Sequence, residues 1–74
     1  MGRYTNDFGE IRIDYFDEST GLWLVDAWRT DDPNEEGEVV AYIDPDTKEV
    51  FYTNPDYRYD GFINNEIQSF LGEL

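Results

Sequence analysis

The chemistry open to this chain is carboxylate chemistry. Residues 31–38, DDPNEEGE, set Asp31, Asp32, Glu35, Glu36 and Glu38 within eight positions and add no base. Such a run can either wrap a hard cation, which prefers oxygen ligands, or display charge to a partner. A second run, Asp44-Pro45-Asp46-Thr47-Lys48-Glu49, opens like a D-x-D-x-D calcium loop. That loop needs an oxygen ligand where Lys48 stands, Gly where Glu49 stands and Glu where Pro55 stands. Neither run has the spacing of a calcium loop. DDPNEEGE is therefore read as charge on display, with a weak Ca²⁺ or Mg²⁺ site as the alternative, and no metal or other cofactor is expected.

Other chemistries lack their residues. There is no His and no Cys, so the imidazole base and the thiolate nucleophile are missing, and no G-x-S-x-G elbow occurs. Two carboxylates can serve a glycosidase, but only across a substrate cleft that so short a chain builds poorly. No enzymatic activity is expected. Phosphate loops of the G-x-G-x-x-G or G-x-x-x-x-G-K kind are absent. Arg12, Arg29 and Arg58 are isolated and read as balancing Asp neighbours rather than gripping phosphate.

The elements that must position these carboxylates follow from periodicity. EIRIDYF (10–16) alternates, with Ile11, Ile13 and Tyr15 on one face and Arg12 and Asp14 on the other. DESTG supplies a turn, and LWLVDAWR continues as a second strand rich in aromatic and β-branched residues. A turn over residues 17–21 would pair Tyr15 with Trp23, Ile13 with Val25, Ile11 with Ala27 and Arg12 with Asp26. EVVAYID and EVFYT form a second hairpin around Pro45-Asp46-Thr47-Lys48, with Ile43 opposite Val50 and Ala41 opposite Tyr52. From Asp60, an N-cap residue, Phe62, Ile63, Ile67, Phe70 and Leu71 recur at helical spacing, and Gly72 can end the helix. The expected fold is α+β: one domain over residues 1–74, a four-stranded antiparallel β-meander of two hairpins packed by one C-terminal α-helix.

This register leaves Phe16, Leu22, Leu24, Trp28, Val40, Tyr42 and Phe51 on the sheet face away from the helix. Two covers are considered. Residues 1–9 with Tyr4 and Phe8, or the Tyr57 and Tyr59 segment, fold over it, or it is a homodimer or partner surface.

At 74 residues the chain supports one two-layer core, and its two Trp, six Tyr and five Phe set it apart from disordered sequences. Without Cys, no disulfide or thiolate zinc site can staple it. No segment reaches the ~20 apolar residues that span a bilayer, so a cytoplasmic protein is expected. Met1-Gly2 alone is weak ground for a myristoyl anchor.

The net charge is −13, from 18 acidic residues against five basic ones. Self-repulsion on that scale destabilises a compact state, so it serves either solubility or a positively charged partner, and it disfavours direct binding to nucleic acid or anionic membrane. Duplex DNA carries one charge per ~1.7 Å, so 13 charges equal roughly 22 Å of duplex, against a diameter near ~29 Å expected for a chain of this length. The meander should gather Asp17, Glu18, Asp44, Asp46 and Glu49 at one end. Asp31, Asp32, Glu35, Glu36, Glu38, Asp56 and Asp60 gather near the other, joined by Glu10.

In size and composition the chain resembles the small acidic inhibitors that phages and mobile elements direct against restriction enzymes, DNA glycosylases and CRISPR effectors. That resemblance implies a nucleic-acid mimic: a monomer or homodimer whose carboxylates occupy the basic channel of a DNA- or RNA-binding protein. Trp28, Tyr57 and Tyr59 would be its aromatic anchors, since Trp and Tyr favour interface hot spots. They are read equally as caps on a small core. The alternative function is an acidic accessory or structural domain, homodimeric or not, whose charge only keeps it soluble; one continuous negative face separates the first reading from the second.

Overall fold

The computed structural model describes residues 8–29 and 37–74. Within them the order is β1 (Phe8–Asp17), β2 (Leu22–Arg29), β3 (Glu38–Ile43), β4 (Val50–Tyr52), a 3₁₀ turn (Pro55–Tyr59) and helix α1 (Gly61–Gly72). The strands form one antiparallel sheet in the order β1-β2-β3-β4. This is the α+β meander packed by a C-terminal helix that the alternation and the helical stripe require.

Two demands meet in the first hairpin. At its open end the apolar pattern sets Ile11 opposite Ala27 and Arg12 opposite Asp26, as the sequence indicates. At its closed end the Asp17 carbonyl accepts from the Gly21 N–H at 2.7 Å and the Thr20 N–H at 3.3 Å. Gly21, at φ +76°, supplies the left-handed residue that closes this turn. The turn is thus one residue tighter than the expected 17–21 loop, and Asp17 pairs with Leu22. A bulge between Arg12 and Tyr15 absorbs the difference. An extra residue reverses every side chain beyond it, so the expected Tyr15–Trp23 pairing is replaced by Phe16–Trp23 and Tyr15–Leu24.

The register of β1 also shifts between Phe8 and Glu10, and a further bulge lies in β3, where Val25 pairs with Ala41 but Asp26 pairs with Val39. Val40 is the inserted residue, and it is fully buried together with Ala41. Thr53 serves the bulged backbone: its N–H donates to the Val40 carbonyl at 3.0 Å and its hydroxyl donates to the Val39 carbonyl at 3.0 Å. In the second hairpin Ile43 faces Val50 and Ala41 faces Tyr52, as expected. Its turn closes with Lys48 N–H on the Asp44 carbonyl at 2.6 Å, and Lys48 takes φ +65° without being glycine.

Helix α1 starts where a carboxylate can cap it: Asp60 accepts from the Ile63 N–H at 3.0 Å. Ile63 and Ile67, one turn apart, are fully buried against Val25, Val40, Ala41 and Ile43. Phe70 extends the contact, its ring 5.3 Å from that of Trp23, while Phe62 lies off the buried stripe and is exposed. Gly72 is the last helical residue and Glu73 the cap, in a right-handed conformation, so the helix ends without a left-handed glycine. Asn64 ties the layers together. Its amide donates to the carbonyls of Arg58 at 2.7 Å and Asp60 at 2.8 Å, and its oxygen accepts from the Tyr52 hydroxyl.

Phe8 and Tyr57, considered as one cover for the far face of the sheet, are instead buried in the core on the helix side, edge to face at 5.9 Å. Phe16 and Val40 also leave the far face, because each stands at or beyond a bulge. Tyr15 takes the place expected for Phe16.

Candidate functional site

The site builds up from the face of the sheet opposite the helix, the open face. On β2, Val25 and Ala27 point into the core, so Leu22, Leu24, Asp26 and Trp28 point the other way. Across the strands, Leu24 pairs with Tyr15 on one side and with Tyr42 on the other, and Tyr42 pairs with Phe51. One residue from every strand therefore forms a single row, Tyr15-Leu24-Tyr42-Phe51, roughly 15 Å long at ~4.8 Å per strand. Its ends are open: Tyr15 is 56% and Phe51 46% exposed. None of α1, the 3₁₀ turn or Phe8 covers it.

The next row toward the turns carries charge. Asp17 pairs with Leu22, and Asp44, just past the Trp23–Ile43 pair, takes the Glu49 carbonyl with its own N–H at 2.9 Å. With Glu18 and Asp46 in the two turns, five carboxylates meet one lysine, Lys48, at this end of the meander. Local bonds hold them in place. The Asp17 carboxylate accepts from the Ser19 hydroxyl at 2.7 Å and its N–H at 3.0 Å, which lowers its pKa below the usual carboxylate value. Asp44 accepts from the Asp46 N–H at 2.9 Å, and Glu49 accepts from the Thr47 hydroxyl at 3.3 Å. Among the described residues none of these five is in a salt bridge. The expected gathering of Asp17, Glu18, Asp44, Asp46 and Glu49 at one end is what the meander's topology produces.

The row on the other side of the aromatics pairs Arg12 with Asp26. Arg12 turns elsewhere: it donates to Glu10 at 2.6 Å and stands 5.1 Å above the Trp28 ring. Asp26 is left beside Asp14 at the bulge. Burial, and then the charge of Asp14, push its pKa up. Trp28 is wedged, with Gly37 so close that a Cβ there would lie 2.6 Å from the indole. Trp28 thus lies on the open face, half-buried, under an arginine.

The far end of the meander uses its groups inward. Asp60 is buried and spends its carboxylate on the helix cap. Glu38 takes the Tyr57 hydroxyl and lies 3.3 Å from Arg29, whose guanidinium stacks 4.8 Å from the Phe8 ring. Tyr57 is a core residue with its hydroxyl on Glu38, so its ring is closed to a partner. Asp56 and Tyr59 are exposed, Tyr59 at 76%. Asp31, Asp32, Glu35 and Glu36 lie outside the described residues, and so does the question of a cation among them. Among the described residues no three His, Cys, Asp or Glu side chains gather to hold a metal. No helix there is long and apolar enough to cross a membrane.

Sequence reasoning placed Leu24, Tyr42 and Phe51 on this face but missed Tyr15, Asp14 and Asp26 as site residues. The signal for Asp26 was present, a lone carboxylate in the strand LWLVDAWR, whereas Tyr15 depended on the bulge.

No protein-family model, no curated protein and no solved structure matches the chain.

Proposed function

We propose that this protein is a non-enzymatic acidic inhibitor that occupies the basic channel of a DNA- or RNA-binding protein in place of nucleic acid, in the manner of anti-restriction or anti-CRISPR proteins of phages and mobile elements. The observation that carries the reading is the unpaired acidic end of the meander. Five carboxylates and one lysine, net −4, stand across a sheet edge roughly 15 Å wide. One DNA strand places about four phosphates over the same length, at 3.4 Å each, and a duplex about nine. The end therefore matches a single phosphate strand in charge. Backbone N–H and hydroxyl donors fix three of the five carboxylates, Asp17, Asp44 and Glu49, so those points of charge are placed before the partner arrives. Charge of this kind steers encounter with a basic groove and makes association fast and salt-sensitive. Such targets act in the cytoplasm.

The test is a pull-down from lysate with the intact protein, treated with nuclease and run at low and high salt. The expected result is capture of a nucleic-acid-processing protein that DNA or RNA displaces, with capture weakened by high salt. Neutralising Glu18, Asp46 and Glu49 to Gln, Asn and Gln should weaken capture further, as should Asn and Gln at Asp31, Asp32, Glu35 and Glu36. Capture indifferent to competing nucleic acid and to these substitutions would defeat the proposal. The aromatic row taken alone would also suit a second reading, an acidic accessory domain that pairs with its own copy, but Asp14 and Asp26 beside the row weigh against it.

A further inference from the structure

We infer that the open face of the sheet is a docking surface for an arginine-bearing segment of a basic protein partner, with the row Tyr15-Leu24-Tyr42-Phe51 as its floor and Asp14 and Asp26 as its charge-reading groups. The inference deepens the proposed inhibitor role and rests on it for the class of partner.

Two of the bulges, the one between Arg12 and Tyr15 and the one at Val40, make this surface. The first turns Tyr15 outward and leaves Asp14 beside Asp26; the second draws Val40 into the core. The result is an aromatic row between two acidic lines, Asp17 with Asp44 on the turn side and Asp14 with Asp26 on the other. Alternate rows on a strand stand ~6.6–6.8 Å apart, so each line is within reach of a side chain lying over the row.

Charge selects the occupant. Asp14 and Asp26 share one sign, and the cation that the register offers, Arg12, is taken by Glu10 and Trp28. An apolar occupant would remove water from Asp26 and return nothing, since a buried carboxylate is costly without a partner. A second copy of this chain would bring its own Asp14 and Asp26 to the same place, together with a further net charge of −13. Two-fold packing sets a patch against itself, so like charges would meet like. An arginine answers both halves of the surface: its planar fork binds a carboxylate by two parallel bonds, and its face stacks on Tyr or Phe. Lysine, a compact and strongly hydrated point charge, does only the first. Arg12 over Trp28 on the same face is an internal instance of the contact expected from the partner.

The probe is an end-blocked ten-residue peptide alternating arginine and valine, titrated into the full chain at 150 mM salt by calorimetry, beside its lysine and glutamate counterparts. The arginine peptide should bind at least tenfold more tightly than the lysine peptide, and the glutamate peptide should not bind. Asp14→Asn with Asp26→Asn should weaken binding at least tenfold, as should Tyr15→Ser with Phe51→Ser. Both ring positions are about half exposed, so the folded chain should keep its circular dichroism. Neutralising Glu18, Asp46 and Glu49 should cost less than threefold. Equal affinity for the arginine and lysine peptides, or equal loss from the two carboxylate sets, would overturn the inference. So would a dimer by sedimentation that Asp26→Arg dissociates, or a tenfold gain on deleting residues 1–7, because each names another occupant. If the peptide results hold while captured proteins ignore nucleic acid, only the mimicry falls. If nucleic acid displaces the target while the peptide results fail, only this surface does.

Discussion

Asp26→Asn should stabilise the protein at neutral pH and leave it unchanged in acid. Asp26 sits at mid-strand among half-buried neighbours, and its pKa is raised first by desolvation and then by Asp14. A group whose folded pKa lies above its unfolded value binds more protons when folded. Its relative stabilisation is therefore present below the unfolded pKa and lost as pH rises through the folded one, so at pH 7 the ionised carboxylate costs stability. The magnitude follows from Coulomb's law. At the ~7 Å of a diagonal neighbour, two unit charges repel by about 0.6 kcal/mol in water and about 2.4 kcal/mol at an effective dielectric of 20. A pair of one half-buried and one exposed carboxylate lies between, near ~1 kcal/mol. For a domain of this size that corresponds to a rise in Tm of about 4–8 °C. Thermal melts of the wild type and Asp26→Asn at pH 7 and pH 3 measure it. The gain should be present at pH 7 and absent at pH 3, where Asp26 carries its proton. A lower Tm at pH 7 would mean that Asp26 has an unrecognised stabilising partner, and an equal gain at both pH values would assign the effect to packing. A carboxylate retained at a cost to the fold is what a partner-reading residue looks like, so the same substitution should raise stability while weakening docking.

Two further outcomes test how the site is held. Asp60→Ala removes the buried cap of α1 and should cost about 1–2 kcal/mol, seen as a drop in Tm; a shift under 2 °C would show that Asp60 does not carry the helix start. Gly37→Ala places a Cβ 2.6 Å from the Trp28 ring atoms, so the indole must move away from its seat under Arg12. The emission of Trp28, measured in a Trp23→Phe background, should shift to the red, and an unchanged spectrum would mean that the ring does not pack on Gly37.

Much of the fold was legible because it depends on local pattern. The alternation of Ile11 and Ile13, the turn residues of DESTG and DPDTK, the Asp60 cap and the Ile63–Ile67 stripe each place a strand, a turn or a helix face without reference to distant parts of the chain. The pairings Ile11–Ala27 and Ile43–Val50 followed because a slip would bury charge. Crowding of carboxylates at the turn end followed as well, since alternate turns of a meander share an end. The bulges were not legible. The one between Arg12 and Tyr15 in β1 is a compromise between turn geometry at one end of its hairpin and apolar pairing at the other, and the one in β3 seats Val40 in the core. Their effects reach the surface. Tyr15 exchanges faces with Phe16, Val40 enters the core, and Asp26 is left with Asp14 as its charged neighbour because Arg12 has been drawn to Glu10 and Trp28. Tyr57 and Asp60, also considered as partner-binding residues, are buried beside the 3₁₀ turn, Tyr57 in the core and Asp60 as the helix cap. Sequence alone determined that this is a small acidic meander with a helix on one side. Tertiary packing decided which aromatics and which carboxylates remain on the other side, because a single inserted residue reverses the faces of a strand.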